Sequence, residues 1–127
     1  MFYYEEFGEG KPILIIHGLA CSMGLMKGCI EPIFKEVNGY KRIYIDLLGM
    51  GKSNKCSLEY ASSDKILEML LSFIKEKIDK EFLLIGESYG GYLSRGILSK
   101  CYKNIEGLML LCPMIIPDDT KRTLPED

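Results

Sequence analysis

Phe82-Leu83-Leu84-Ile85-Gly86-Glu87-Ser88-Tyr89-Gly90 is the stretch whose reading decides the fold. Its first four residues form the continuous apolar run expected of a strand buried on both faces. Residues 89–101 then read as a short helix. Between the two lies G-x-S-x-G, from Gly86 to Gly90, in a strand–turn–helix context. A residue on so tight a turn takes a strained backbone, and glycines two positions to either side of it avoid clashes. The turn thrusts the Ser88 hydroxyl into the open, and the following helix points its first amide donors at the same spot. Glycine and serine are common, so the bare pattern is weak. The strand before it and the helix after it give it weight. The competing interpretation is a serine in an ordinary βα turn.

Working outward, the chain alternates short apolar runs with amphipathic stretches. Ile13-Leu14-Ile15-Ile16, Arg42-Ile43-Tyr44-Ile45 and Leu108-Met109-Leu110-Leu111 repeat the buried-strand pattern. Residues 2–7 read as one more strand, closed by the turn Gly8-Glu9-Gly10-Lys11-Pro12. A helix is expected over 26–37, although it carries Pro32. A clearer one is expected over 64–78. Ser62 or Ser63 caps it, and Ile66, Leu70, Phe73, Ile74 and Ile78 fall on one face. Strands alternating with helices predict βαβ units, and so an α/β fold with a mainly parallel sheet and helices on both faces. Reactive groups in such sheets gather at the carboxyl ends of strands. The G-x-S-x-G turn falls at such an end.

The chain has 127 residues, which predicts a single domain over 1–127. Apolar residues make up 47% and charged residues 27%, as in a soluble globular protein. The formal charge is -2, with acidic and basic residues interspersed, so nothing advertises nucleic acid or an anionic membrane as partner. The five cysteines, Cys21, Cys29, Cys56, Cys101 and Cys112, are odd in number and lack C-x-x-C spacing. That argues against a zinc site and against a disulfide framework, and it suits a reducing, cytoplasmic compartment. No apolar run approaches the length that spans a bilayer. No metal and no cofactor are expected.

Two further motifs follow strands. His17-Gly18-Leu19 ends the run 13–16. His17 is the only histidine, which invites a catalytic-base reading. In hydrolases with this type of elbow, however, the order along the chain is serine, acid, histidine, and His17 lies far upstream of Ser88. Main-chain work suits the motif better. Gly18 permits a tight bend, and the Leu19 N–H joins the Tyr89 N–H as an oxyanion-hole donor. A strand-end histidine satisfied by hydrogen bonds is compatible with that role. The other motif is Asp46-Leu47-Leu48-Gly49-Met50-Gly51-Lys52-Ser53. It nearly spells a P-loop, but Asp46 stands where the first glycine belongs, and a carboxylate there faces the phosphates that the loop should cradle. Lys55-Cys56-Ser57 reads as loop rather than as the start of a helix. The alternative match, D-x-x-G-x-G-x-S, agrees at every fixed position: Asp46, Gly49, Gly51 and Ser53.

H-G-L, D-L-L-G-M-G-K-S and G-E-S-Y-G-G, in this order and each at a strand end, resemble the α/β-hydrolase superfamily over roughly residues 3–112. The resemblance implies a three-layer sandwich with Ser88 as nucleophile and the Leu19 and Tyr89 amides as oxyanion donors. His17, Gly18, Gly86 and Gly90 then shape the site, and Asp46, Gly49, Gly51 and Ser53 brace it. The implied activity is acyl transfer on an ester, thioester or amide, with a small-molecule substrate.

The chain also departs from that family. An acid and a histidine normally follow later strands, and no histidine lies beyond position 17. Asp118 and Asp119 stand where some relatives place the acid, and solvated tail acids are the simpler interpretation. A serine hydroxyl without an adjacent base is a poor nucleophile, although an oxyanion hole alone still accelerates acyl transfer. The expectation is an N-terminal fragment of a serine hydrolase, inactive or weakly active alone, truncated after the strand near 106–112. A non-catalytic binding or assembly module is the alternative. A sheet that stops at this strand exposes an apolar edge. Self-association, or a partner that supplies the missing C-terminal half, is therefore expected, and the tail 113–127 should be irregular.

Overall fold

Alternating apolar runs and amphipathic stretches resolve into one sheet flanked by helices in a computed structural model, which describes residues 1–53, 55 and 57–125, apart from the Leu58 side chain. Cys56, expected to be loop, lies outside the described residues. The strands are β1 (Tyr4–Phe7), β2 (Lys11–Ile16), β3 (Tyr40–Ile45), β4 (Phe82–Glu87) and β5 (Ile105–Leu111). Their order across the sheet is β1-β3-β2-β4-β5. β2, β3, β4 and β5 run parallel, and β1 lies antiparallel on the β3 edge. Ile16 pairs with both Ile45 and Gly86, and Glu87 pairs with Leu111. This register brings the carboxyl ends of all four parallel strands to one edge, so the segments that leave them converge.

Strand alternation divides the apolar side chains between two faces. Leu14, Ile16, Ile43, Ile45, Phe82 and Leu84 point to one side. There they pack against α2 (Ser63–Lys77) and α3 (Tyr89–Cys101). Ile13, Ile15, Tyr44 and Ile85 point to the other side and meet Met23, Met26 and Ile30 of α1 (Met23–Ile30). The result is the expected layered arrangement, helices on both faces of a mainly parallel sheet. The α1 layer is the thinner one. An apolar groove of about 420 Å³ lies beside it, lined by Ile13, Phe34, Leu83, Ile85 and Met109.

α2 matches its sequence signals: Ser62 caps it by accepting from the Lys65 N–H at 3.2 Å, and Ile66, Leu70, Phe73 and Ile74 are buried. The helix expected over 26–37 is corrected. It starts at Met23, capped by Ser22, and ends at Ile30, with a 3₁₀ turn over Glu31–Lys35 after it. Pro32 explains the end. Its ring would clash with the carbonyl four residues earlier, and it has no N–H to give. Glu31 in that turn accepts two bonds from the Arg42 guanidinium, at 2.7 and 2.9 Å, and one from the Tyr44 hydroxyl at 2.7 Å. These contacts hold the turn to β3. They keep the Glu31 carboxyl below the usual carboxylate range, and burial together with Glu31 pushes the Tyr44 phenol up. The described part of the tail after β5, up to residue 125, is irregular as expected, except for a short turn over Asp119–Lys121. Cys21, Cys29, Cys101 and Cys112 are free thiols. No helix among the described residues is long and apolar enough to cross a membrane.

Candidate active site

The turn from β4 into α3 holds Ser88 at φ 49 and ψ -114, left-handed space that a serine rarely adopts. Such a conformation costs on the order of 1–3 kcal/mol and persists only where its surroundings dictate it. Here they do. The Ser88 N–H donates to the Leu111 carbonyl at 2.9 Å. The Ser88 carbonyl accepts from Gly91, Tyr92 and Met114 at 3.0, 3.2 and 2.9 Å. The Ser88 main chain is thus held between β5, the start of α3 and the segment after β5. Its side chain makes no capping bond to the helix and is free to face the pocket described below.

The glycines flanking Ser88 are required by space. A Cβ on Gly86 would lie 2.3 Å from Ser94 Oγ and 2.5 Å from the Gly90 carbonyl oxygen. One on Gly90 would lie 2.3 Å from the Ile16 oxygen and 2.5 Å from the His17 oxygen. The turn therefore sits flush against the end of β2. Gly18 needs its missing side chain for the same reason, and it also opens a turn that the Cys21 N–H closes onto its carbonyl at 3.4 Å. A Cβ there would lie 2.4 Å from Glu87 Oε2 and 3.0 Å from Ser88 Cβ. The segment 17–19 and the elbow are in close contact, and the exposed Leu19 follows directly. Among the described residues no hydrogen bond within the chain engages the Leu19 N–H. The Tyr89 N–H, at the first position of α3, has no earlier carbonyl of the helix to bind. The Tyr89 hydroxyl and Ser63 Oγ lie 2.7 Å apart, which ties α3 to α2.

His17 is fully buried. Its Nε2 accepts from the Leu47 N–H at 2.9 Å, which puts the ring proton on Nδ1, and Nδ1 donates to the Gly18 carbonyl at 2.7 Å. Burial holds its pKa below the ordinary 6.5, against the opposing pull of Gly18 and of Asp46. A neutral ring with both nitrogens engaged is a brace between the ends of β2 and β3. Asp46, also buried, accepts from the Met23 N–H at 2.7 Å and the Lys52 N–H at 2.8 Å. It closes its own loop and caps the start of α1. Gly49 donates to the Ser53 carbonyl at 2.8 Å, and Ser53 Oγ accepts from the Tyr3 N–H at 2.7 Å. Gly51, at φ 53, packs over the Asp46 carboxyl. These bonds brace the loop internally, and its Lys52 amide is spent on the Asp46 carboxylate rather than free for a nucleotide phosphate.

Two features escape the sequence reading. Glu87 projects to the same side as Leu83 and Ile85 by strand alternation. Its Oε2 is buried without a hydrogen-bond partner among the described residues. The alternation is visible in the sequence, whereas the missing partner is not. The second feature is a pocket of about 460 Å³ that Ser88 lines together with Met114, Ile115, Ile116, Arg122 and Leu124. Pro113 packs on Gly91 and so fixes where this wall begins. Asp118 and Asp119 take no part in the site. Asp118 accepts from the Thr120 N–H at 3.0 Å and the Thr120 hydroxyl at 2.7 Å, which lowers its pKa. Asp119 pairs with Arg122 at 2.9 Å.

Comparison with known proteins agrees with this fold. A family model described as the alpha/beta hydrolase fold matches residues 11–126. The 2-hydroxy-6-oxo-6-(2'-aminophenyl)hexa-2,4-dienoic acid hydrolase of Metapseudomonas resinovorans is 30% identical, over 85% of this chain and 37% of that protein. Lipase 1 of Psychrobacter immobilis is 31% identical, over 85% of this chain and 34% of its own length. Among solved structures, an alpha/beta superfamily hydrolase from Oenococcus oeni PSU-1 is 37% identical and superposes with a TM-score of 0.85, covering 100% of this chain and 52% of that one. The chain thus spans about a third of the length of these curated relatives and about half of that structure.

Proposed function

Because the chain belongs to the α/β-hydrolase family, matched over residues 11–126, we propose that it carries the nucleophile half of a serine hydrolase active site, with Ser88 as the nucleophile. The observation that carries this reading is the strained backbone of Ser88, left-handed at a strand–helix turn and beside a pocket that Ser88 lines. The Ser88 hydroxyl adds to the carbonyl of an ester, thioester or amide. The Leu19 and Tyr89 amides receive the charge that develops on the carbonyl oxygen. Their lack of partners among the described residues supports this role.

The Ser88 proton needs an acceptor. His17 is the only histidine, and it is buried, neutral and engaged on both nitrogens. It cannot accept that proton without breaking the brace. We therefore take the chain to be inactive or weakly active alone, with its base supplied by a further polypeptide segment. That segment would also cover the β5 edge, and self-association through the same edge is its simplest substitute. A cytoplasmic setting and a single partial domain belong to the same proposal. A second reading, a non-catalytic binding or assembly module, draws on the same missing base.

An alkyl fluorophosphonate separates the two readings. Ser88 Oγ forms a bond to phosphorus, the P–F bond breaks, fluoride leaves and the hydroxyl proton goes to solvent. Intact-mass analysis is expected to find one adduct on Ser88, absent from Ser88→Ala. Well-folded protein that stays unlabelled at Ser88 even at raised pH, where hydroxide takes the place of the missing base, would favour the binding module instead.

A further inference from the structure

Glu87 is an acid at the elbow for which the reaction proposed above has no task. It is the last residue of β4, directly before Ser88, and it pairs across the sheet with Leu111. Its Oε2 is covered and accepts no hydrogen bond among the described residues, and no ion pair there involves it. A covered carboxylate oxygen without a donor is strongly unfavourable, and native folds leave few polar groups in that state. Gly18 fixes where the carboxylate stands. A Cβ on Gly18 would lie 2.4 Å from Glu87 Oε2 and 3.0 Å from Ser88 Cβ. The carboxylate and the Ser88 side chain thus flank one point, close enough for one small planar ring to touch both. The neighbouring His17 offers Glu87 no donor, because its one ring proton goes to the Gly18 carbonyl. Three further acids that follow β3 and β5 are committed: Asp46 to the Met23 and Lys52 amides, Asp118 to Thr120 and Asp119 to Arg122.

A neutral imidazole has the complementary chemistry: one nitrogen carries a proton and the other accepts one. A ring that donates to a carboxylate presents its bare nitrogen on the far side. The carboxylate fixes that tautomer and stabilises the imidazolium that forms. We propose that Glu87 is the positioning residue for the base that serves Ser88: its carboxylate accepts from the N–H of an incoming imidazole and turns the opposite nitrogen towards the Ser88 hydroxyl. In the step it supports, Ser88 Oγ bonds to the acyl carbon and the carbonyl electron pair moves onto oxygen. The Ser88 proton passes to the bare nitrogen of the ring, and Glu87 stays ionised throughout. The inference deepens the serine-hydrolase reading and rests on it. It places an orienting acid on this chain, one residue before the nucleophile, rather than in the tail.

The test supplies the base as a free molecule. At about pH 9 imidazole and 1-methylimidazole are both neutral, and only imidazole carries an N–H. The full chain, with glutamate carboxyls labelled with 13C, is titrated with each, and the Glu87 resonance is the one missing from Glu87→Gln. Imidazole is expected to shift that resonance saturably and 1-methylimidazole to leave it in place. In parallel, imidazole is expected to accelerate fluorophosphonate labelling of Ser88 at least about tenfold more than 1-methylimidazole does. Glu87→Gln erases that preference and Glu87→Asp recovers part of it. A Glu87 that serves the fold alone leaves the two bases equivalent. Equal acceleration by both bases overturns the inference, and so does a Glu87 resonance that imidazole does not move. An imidazole-specific Glu87 shift in protein whose Ser88 stays unlabelled supports the acceptor and removes the nucleophile.

Discussion

At the scale of single residues, the elbow depends on three absent side chains. Gly90→Ala would drive a methyl group to 2.3 Å from the Ile16 oxygen. Backbone on both sides has to move, so the variant is expected to lose about 1–3 kcal/mol of stability. Gly28→Ala is the control. It lies within α1, and nothing stands within 4 Å of its Cβ position. The same substitution there is expected to gain roughly 0.5–1 kcal/mol through helix propensity. Urea denaturation of the two variants reads both signs. Loss of stability in both would mean that close approach is not what distinguishes Gly90. His17 gives a second residue-level prediction. Its folded pKa is depressed below 6.5, so the unfolded chain takes up its proton first. Stability is full above pH 6.5 and is lost as pH falls below it, with a limiting slope of about 1.4 kcal/mol per unit. No other histidine titrates there, so denaturation midpoints between pH 7 and 5 isolate the effect. A flat profile over that range would mean that folding leaves the His17 pKa unshifted.

At the scale of elements, Asp46 joins the end of β3 to the start of α1 and to its own loop through the Met23 and Lys52 amides. Asp46→Ala leaves both donors without an acceptor and is expected to cost about 2–4 kcal/mol, with hydrogen exchange quickening first at residues 23–26. An unchanged exchange pattern would refute the bracing role. The elements differ in how far the sequence foretells them. β4, the elbow and α3 are legible because a strict apolar run meets a turn whose glycines have one use. α2 is legible because its buried residues keep helical spacing. α1 is misread because Ile33, Phe34 and Val37 extend an apolar pattern past Pro32, while the actual cap, Ser22, stands before a window rich in glycine and methionine. The site divides in the same way. Ser88, Gly86, Gly90 and the Asp46 loop follow local rules. The wall at 112–124 and the unpartnered Glu87 oxygen arise only when distant segments close on each other.

At the scale of the whole molecule, the proposed site belongs to no single element. It joins the end of β2, the β4–α3 turn and the segment after β5, brought together by the register of four parallel strands. β5 lies at the sheet edge with Met109 half exposed, and edges of this kind recruit other strands. The proposed self-association makes light scattering rise with concentration and makes Met109→Lys reduce it; a monomer at every concentration would leave the edge unused. Convergence of the three segments is the central claim, and one measurement addresses it directly: a crystal structure of the chain after reaction with an alkyl fluorophosphonate. The account predicts phosphorus bonded to Ser88 Oγ, with the phosphoryl oxygen about 2.7–3.1 Å from both the Leu19 and Tyr89 amide nitrogens and the alkyl chain against Met114 and Ile116. A phosphoryl oxygen turned to solvent, away from both amides, would contradict it.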